Sequence, residues 1–129
     1  MGMLKFLIFD GDQPPARWPV RNAYLVGADH TAVKSEIRYD QGILSCLKRE
    51  AGSVALVLQH AVGECGEITV ATCLLPESSE PYLLTLELAR QRLMTIYNKL
   101  EEWGMFDLGD EHAATRRIER ARKLFIEAL

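Results

Sequence analysis

The chain of 129 residues has few cysteines and no pairing pattern among them. It holds three, at Cys46, Cys65 and Cys73, without a C-x-x-C pair or a nearby histidine cluster. Because the number is odd, at least one thiol is free, and we expect no disulfide framework. Because the C-x-x-C pair and the histidine cluster are missing, we also expect no metal site and no cofactor. A chain of this length buries enough surface to form one core without such staples.

Long apolar runs are also missing from the sequence. The N-terminal run from Leu4 to Phe9 is interrupted by Lys5 and is too short for a secretory signal. No stretch approaches the ~18 apolar residues that a transmembrane helix requires. We therefore predict a cytoplasmic protein without a membrane partner.

Neither sign of charge dominates, because 18 acidic residues face 15 basic ones and the formal net charge is -3. This balance argues against nucleic acid as a partner. One segment is locally basic, with glutamates interleaved. We favour a solvated, salt-bridged helix face over a phosphate site here. Its charged residues are Arg116, Arg117, Glu119, Arg120, Arg122, Lys123 and Glu127.

Short alternating runs separated by turn formers fill the first three-fifths of the chain, which is typical of antiparallel strands. The clearest hairpin joins its two strands through Asp40, Gln41 and Gly42, since Asp and Gly tolerate the positive φ of a tight turn. The spacing predicts a β-sandwich or jelly-roll-like unit. The predicted strands are Met3 to Phe9, Asn22 to Val26, Val33 to Tyr39, Ile43 to Lys48, Val54 to Gln59 and Glu67 to Leu74.

The pattern changes at residues 76–81, where two prolines bracket a polar segment and mark a linker between 1–75 and 82–129. An apolar stripe with spacings of three and four then predicts a helix that ends at Gly104. A second helix follows, with Asp110 as its expected N-cap. The short connection predicts an antiparallel helical hairpin. We therefore predict a single α+β domain, with a sandwich followed by this hairpin.

Groups for catalysis do not assemble into a recognised set. Asp10 and Asp12 follow an apolar strand, as in haloacid-dehalogenase-type phosphatases, but Gln13 and two prolines replace the expected continuation. A β-turn is the simpler interpretation. The histidines at positions 30, 60 and 112 have no serine, cysteine or carboxylate at a recognised spacing. We therefore expect no catalytic residue in this chain.

Aromatic side chains offer a more plausible binding surface, because sugar rings stack on flat exposed rings. The candidate ligand-binding residues are Trp18, Tyr24, Tyr39 and Tyr82. Trp18 is the strongest, since a tryptophan in a Pro-rich loop must otherwise find a core to cover it. Core packing is the competing interpretation for all four.

The segment around the linker carries a resemblance to a known family. Leu75-Pro76-Glu77, Glu80-Pro81-Tyr82-Leu83-Leu84, Leu86-Glu87-Leu88-Ala89-Arg90 and Trp103-Gly104 are its specific residues. The run resembles the N-terminal accessory region of planctomycete endo-1,4-β-xylanase-like proteins, in which a family-10 glycoside hydrolase barrel follows downstream. Weaker likeness covers nearly the whole chain.

The resemblance implies a non-catalytic module ahead of a (β/α)₈ barrel, with a glycan as a candidate ligand. That barrel needs about 250 residues, so its two catalytic glutamates have no counterpart here. The alternative is a structural module whose hairpin forms a homodimer or docks against the barrel. Its expected interface residues are Leu93, Ile96, Leu100 and Trp103.

Overall fold

The computed structural model describes residues 2–9, 21–61, 63–104, 109 and 112–129. This part of the chain forms strands β1 to β8, a 3₁₀ turn at Gly63–Cys65 and two α-helices. The strands are β1 Gly2–Leu7, β2 Arg21–Val26, β3 Ala32–Val33, β4 Ser35–Asp40, β5 Ile43–Lys48, β6 Ala55–Ala61, β7 Glu67–Ala71 and β8 Tyr82–Leu83. The helices are α1 Leu84–Glu102 and α2 Ala113–Ala128.

The strands form two four-stranded sheets, in the orders β4-β5-β1-β8 and β3-β2-β6-β7. All the pairs are antiparallel except β1 with β8, which is parallel. The two sheets share a core and the helical hairpin follows them in the chain. The predicted α+β fold is therefore confirmed.

One predicted strand is two separate strands in the structure, so that prediction was wrong. The run from Val33 to Tyr39 divides at Lys34, where β3 ends in one sheet and β4 begins in the other. The chain crosses between the sheets at this residue. Alternating hydrophobicity continues through the crossing, which explains why the pattern suggests one strand.

The β4–β5 hairpin is confirmed, with a two-residue turn at Gln41 and Gly42. Their φ angles are 44° and 88°, the double positive φ of a type I′ turn. Asp40 lies in the strand, so the predicted positive φ belongs to Gln41 rather than to Asp40. The Tyr39 hydroxyl accepts a hydrogen bond from the Gly42 amide at 3.0 Å and reinforces the turn.

The core lies between the sheets and is extended by α1. Inward residues alternate along each strand, as the period of two requires, and each large apolar side chain contributes roughly 1.5–3 kcal/mol on burial. The buried apolar residues are Leu4, Phe6, Ile8, Leu25, Leu44, Cys46, Val54, Leu56, Leu58, Leu75, Leu84 and Leu88. Burial raises the pKa of the Cys46 thiol to about 12. All three cysteines are free, as expected.

A buried lysine ties the linker to the sandwich. Lys48, the last residue of β5, is fully buried, and its Nζ lies 2.9 Å from Glu77 Oε1. The same Nζ donates to the carbonyl oxygens of Glu50 at 2.9 Å and Gly52 at 2.6 Å. Three acceptors thus match the three ammonium protons, which makes burial of this charge tolerable.

The two helices end and begin at identifiable residues. Helix α1 follows β8 without a break, and Gly104 with φ 61° terminates it as predicted. Helix α2 has His112 as its N-cap, whose Nδ1 accepts from the Ala114 amide at 3.1 Å. Asp110, the expected cap, lies outside the described residues.

Candidate functional site

The predicted aromatic residues are not gathered into one platform within the described part of the chain. Tyr24 points away from the core on β2 and is 44% exposed. Tyr39 and Tyr82 lie on opposite edge strands of the other sheet, and both pack against the core. Tyr82 also donates to the Pro76 carbonyl at 2.7 Å. Trp18 lies outside the described residues.

The candidate chemical groups are likewise dispersed. His30 lies in a turn, His60 near the end of β6, and His112 at the start of α2. Across the described residues, no group of three or more His, Cys, Asp or Glu side chains is placed to hold a metal ion. Asp10 and Asp12 lie outside that part of the structure. No described helix is long and apolar enough to cross a membrane.

An open apolar groove of about 680 Å³ lies between the two helices and the ends of β1 and β8. Sequence patterns predict the helices but not this groove, because it depends on how they pack. Its lining contains two polar residues, Thr85 and Arg92, and is otherwise apolar. The apolar lining residues are Leu7, Phe9, Leu83, Leu86, Ala89, Leu93, Ile96, Ala121, Leu124, Phe125 and Ala128.

The groove remains open because each helix contacts its neighbours on only part of its surface. Helix α1 buries Leu84 and Leu88 at its N-terminal end. Helix α2 packs antiparallel to α1, with Phe125 beneath the Arg90 guanidinium at 5.3 Å. Arg90 is held there by Glu87, 3.1 Å away. No described residue of α2 is buried, so its apolar side remains accessible.

Two smaller concavities of about 380 and 360 Å³ adjoin the groove. The first continues along α1 past Thr95, Lys99, Leu100 and Trp103 to Ala114, and shares Arg92 and Ile96 with the groove. The groove and this extension together are called the docking surface below. It contains all four predicted interface residues, Leu93, Ile96, Leu100 and Trp103. The second concavity meets it at Thr85, Ala89 and Arg92.

Arg92 occupies a central place in this arrangement, since it lines all three concavities. It is exposed, and it makes no ion pair or hydrogen bond with the described residues. Lys99, the other Lys or Arg of the docking surface, is paired with Glu102 at 3.0 Å. Among the described residues, none that lines the three concavities is acidic.

The surface combines a large apolar area with one exposed arginine that lines all three concavities. Apolar side chains supply the area, and an arginine supplies one directional group. Comparison with protein-family models, with curated proteins and with solved structures finds no match.

Proposed function

We propose that this chain is a non-catalytic accessory domain that positions a catalytic barrel by docking through the apolar surface of its helical hairpin. The observation that carries the proposal is the open groove on α1 and α2, where no described residue of α2 is buried. The resemblance to the region preceding xylanase-like barrels supplies the partner. The outer layer of such a barrel consists of helices, which pack well against other helices.

The exposure of α2 supports the need for a partner. Leu124, which lines the groove, is 56% exposed, although isolated helices of this length are marginal in water. Helical stability in proteins comes mainly from packing of the apolar side. Covering each large side chain contributes about 1.5–3 kcal/mol. Docking therefore stabilises both the complex and α2.

The proposal is tested by measuring how much one substitution lowers stability in this chain alone and in a polypeptide that also carries the barrel. Leu93→Ala is expected to lower urea stability by less than about 1 kcal/mol in this chain alone, because the side chain is already partly exposed. In the polypeptide that also carries the barrel, the loss should be larger by about 1–3 kcal/mol. Met94→Ala is the matched control, since Met94 is 50% exposed on the same helix and does not line the groove.

Equal losses for Leu93→Ala in both contexts would contradict docking on the barrel. A homodimer is the competing use of the same surface. Sedimentation of this chain should give a concentration-independent mass of 14.5 kDa. Twice that mass, reduced to a single mass by Leu93→Ser, would assign the surface to a second copy of the chain.

Glycan binding stays a prediction that rests on the resemblance and on Trp18. It requires oligosaccharide binding that disappears in Trp18→Ala while the circular dichroism spectrum is unchanged. Binding that survives in both Trp18→Ala and Tyr24→Ala would remove these two aromatic candidates. The proposed cytoplasmic location is supported by the three free thiols, which are typical of reducing compartments.

A further inference from the structure

Helix α2, which forms one wall of the groove, has a net charge opposite in sign to that of the whole chain. Residues 112–129 carry five Lys or Arg and two Glu, a balance of +3, while the chain totals -3. The one ion pair along α2 joins Arg122 to Glu119 at 3.6 Å. The described structure gives no ion pair to the remaining bases, Arg116, Arg117, Arg120 and Lys123.

Arg92 adds a cation within the apolar area itself, and none of the described residues pairs with it. A guanidinium in apolar surroundings binds a carboxylate in two parallel hydrogen bonds, and exclusion of water strengthens the interaction. Its neighbour Arg90 differs, because that guanidinium already forms an ion pair with Glu87 and a cation–π contact with Phe125. Arg92 is therefore the cation whose partner is supplied from outside.

We infer that the docking surface accepts an acidic amphipathic helix of the partner domain, with Arg92 binding a carboxylate at the centre of the apolar contact. This inference rests on the proposed docking function and names the chemistry of its partner. The partner helix presents apolar residues at i, i+3, i+4 and i+7 to the groove. One of its acidic residues faces Arg92, and its net negative charge complements the net positive charge of α2.

A protein helix fits this site better than an anionic membrane does. Interfacial helices bury a convex apolar face in the lipid. Here Ala121 and Phe125 line a concave groove together with α1, and the apolar surface lies between two helices. A rod with projecting side chains can fill such a groove, whereas a bilayer surface cannot follow it.

The test uses a displayed library of helix-forming peptides, with apolar residues fixed at i, i+3, i+4 and i+7 and the other positions varied. The library is selected on this chain, on Arg92→Glu and on Leu93→Ser. The wild-type chain should enrich Asp and Glu at one position beside the apolar stripe. Arg92→Glu should enrich Lys and Arg at that same position, and Leu93→Ser should enrich neither.

Fluorescence anisotropy with the strongest wild-type peptide then measures the contact. Replacing its carboxylate by the amide should weaken binding about tenfold, and Arg92→Gln should do the same. The two losses should not add when combined, since they remove one interaction. Arg38→Gln is the control, because Arg38 is exposed on β4 away from the helices.

Different failures are distinguishable. If Leu93→Ser abolishes binding but no acidic residue is enriched, docking stands and the acidic partner is refuted. If acid-dependent binding is found but Leu93→Ala acts equally in both contexts, the inferred chemistry stands and docking on the barrel is refuted. Binding to vesicles of phosphatidylserine and phosphatidylcholine, without any Leu93-dependent peptide, would overturn the inference in favour of a membrane.

Discussion

Replacing Lys48 by methionine should destabilise the domain more than any exposed charge substitution. Methionine retains most of the aliphatic stem that β5 holds in the interior, so the change isolates the ammonium group. Two backbone carbonyls, of Glu50 and Gly52, lose a charged donor, and Glu77 loses its ion-pair partner. The loops that follow β5 and precede β8 would lose this link and keep the two backbone hydrogen bonds between Val54 and Leu75.

The magnitude follows from the burial of each partner. Breaking a buried ion pair by removing one member costs about 3–5 kcal/mol, mainly because the remaining charge stays buried. The Glu77 side chain is 45% exposed and can be rehydrated, so no buried charge remains and the cost falls below this range. The carbonyls of Glu50 and Gly52 lie in solvent-exposed loop residues and can recover water in part. We expect a loss of roughly 2 kcal/mol, mainly from the hydrogen bonds of these two carbonyls to the ammonium group.

Urea unfolding followed by circular dichroism measures this loss. With a slope near 2 kcal/mol/M, the midpoint should fall by about 1 M while the slope is unchanged. Lys99→Met is the matched control, because Lys99 forms an exposed ion pair with Glu102 at 3.0 Å and should cost under about 0.5 kcal/mol. Equal, small effects for both substitutions would refute the view that Lys48 ties the linker to the sandwich.

Three other predictions address the core, the acid limb of stability and the thiols. Leu84→Ala should cost about 2–5 kcal/mol in urea because the side chain is buried, whereas exposed Leu124→Ala should cost under about 1 kcal/mol in the isolated chain; similar values would contradict the packing of the hairpin. A hydrogen bond and the charge of the buried lysine lower the pKa of Glu77 from its usual 4.5. The stability that Glu77 contributes is therefore present above this value and is lost as the pH falls through the lower folded-state pKa, so Glu77→Gln should flatten the decline measured between about pH 5 and 2; a parallel decline in the variant would argue against it. Ellman's reagent should modify Cys65 in seconds to minutes and Cys46 only on unfolding, since Cys46 is buried with a pKa of about 12; rapid reaction of Cys46 would place it outside the core.

Sequence patterns predicted those strands and helices that are determined by residues close together in the chain. The β4–β5 hairpin follows from alternation on both sides of Gln41 and Gly42, and the end of α1 from the apolar stripe and Gly104. Strand β8 was not predicted because it is two residues long and exists through its parallel pairing with Phe6 and Leu7, far away in the chain. Pairing partners of this kind leave no periodic signal.

The sequence of β5 also contains a pattern that indicates the burial of Lys48. Leu44, Cys46 and Lys48 share one face of the strand, so the period of two places the lysine inward. The acceptors that make this burial tolerable come from two loops, and their convergence is a property of the fold. The α1 side of the docking surface was predicted, since Leu93, Ile96, Leu100 and Trp103 are on the helical stripe. Arg92 was not predicted, because its place between the three concavities and its lack of a partner among the described residues depend on the packing of the helices.

The direct junction between β8 and α1 has a mechanical consequence. Leu83 ends the strand that is hydrogen-bonded to β1, and Leu84 already begins the helix and is buried. No linker separates the sheet from the hairpin, so a torque applied to α1 is transmitted directly to β1. A partner bound to the hairpin would therefore keep a defined orientation relative to the sandwich. Inserting three glycines between Leu83 and Leu84 would make this junction flexible, so that the hairpin and its partner could change orientation relative to the sandwich.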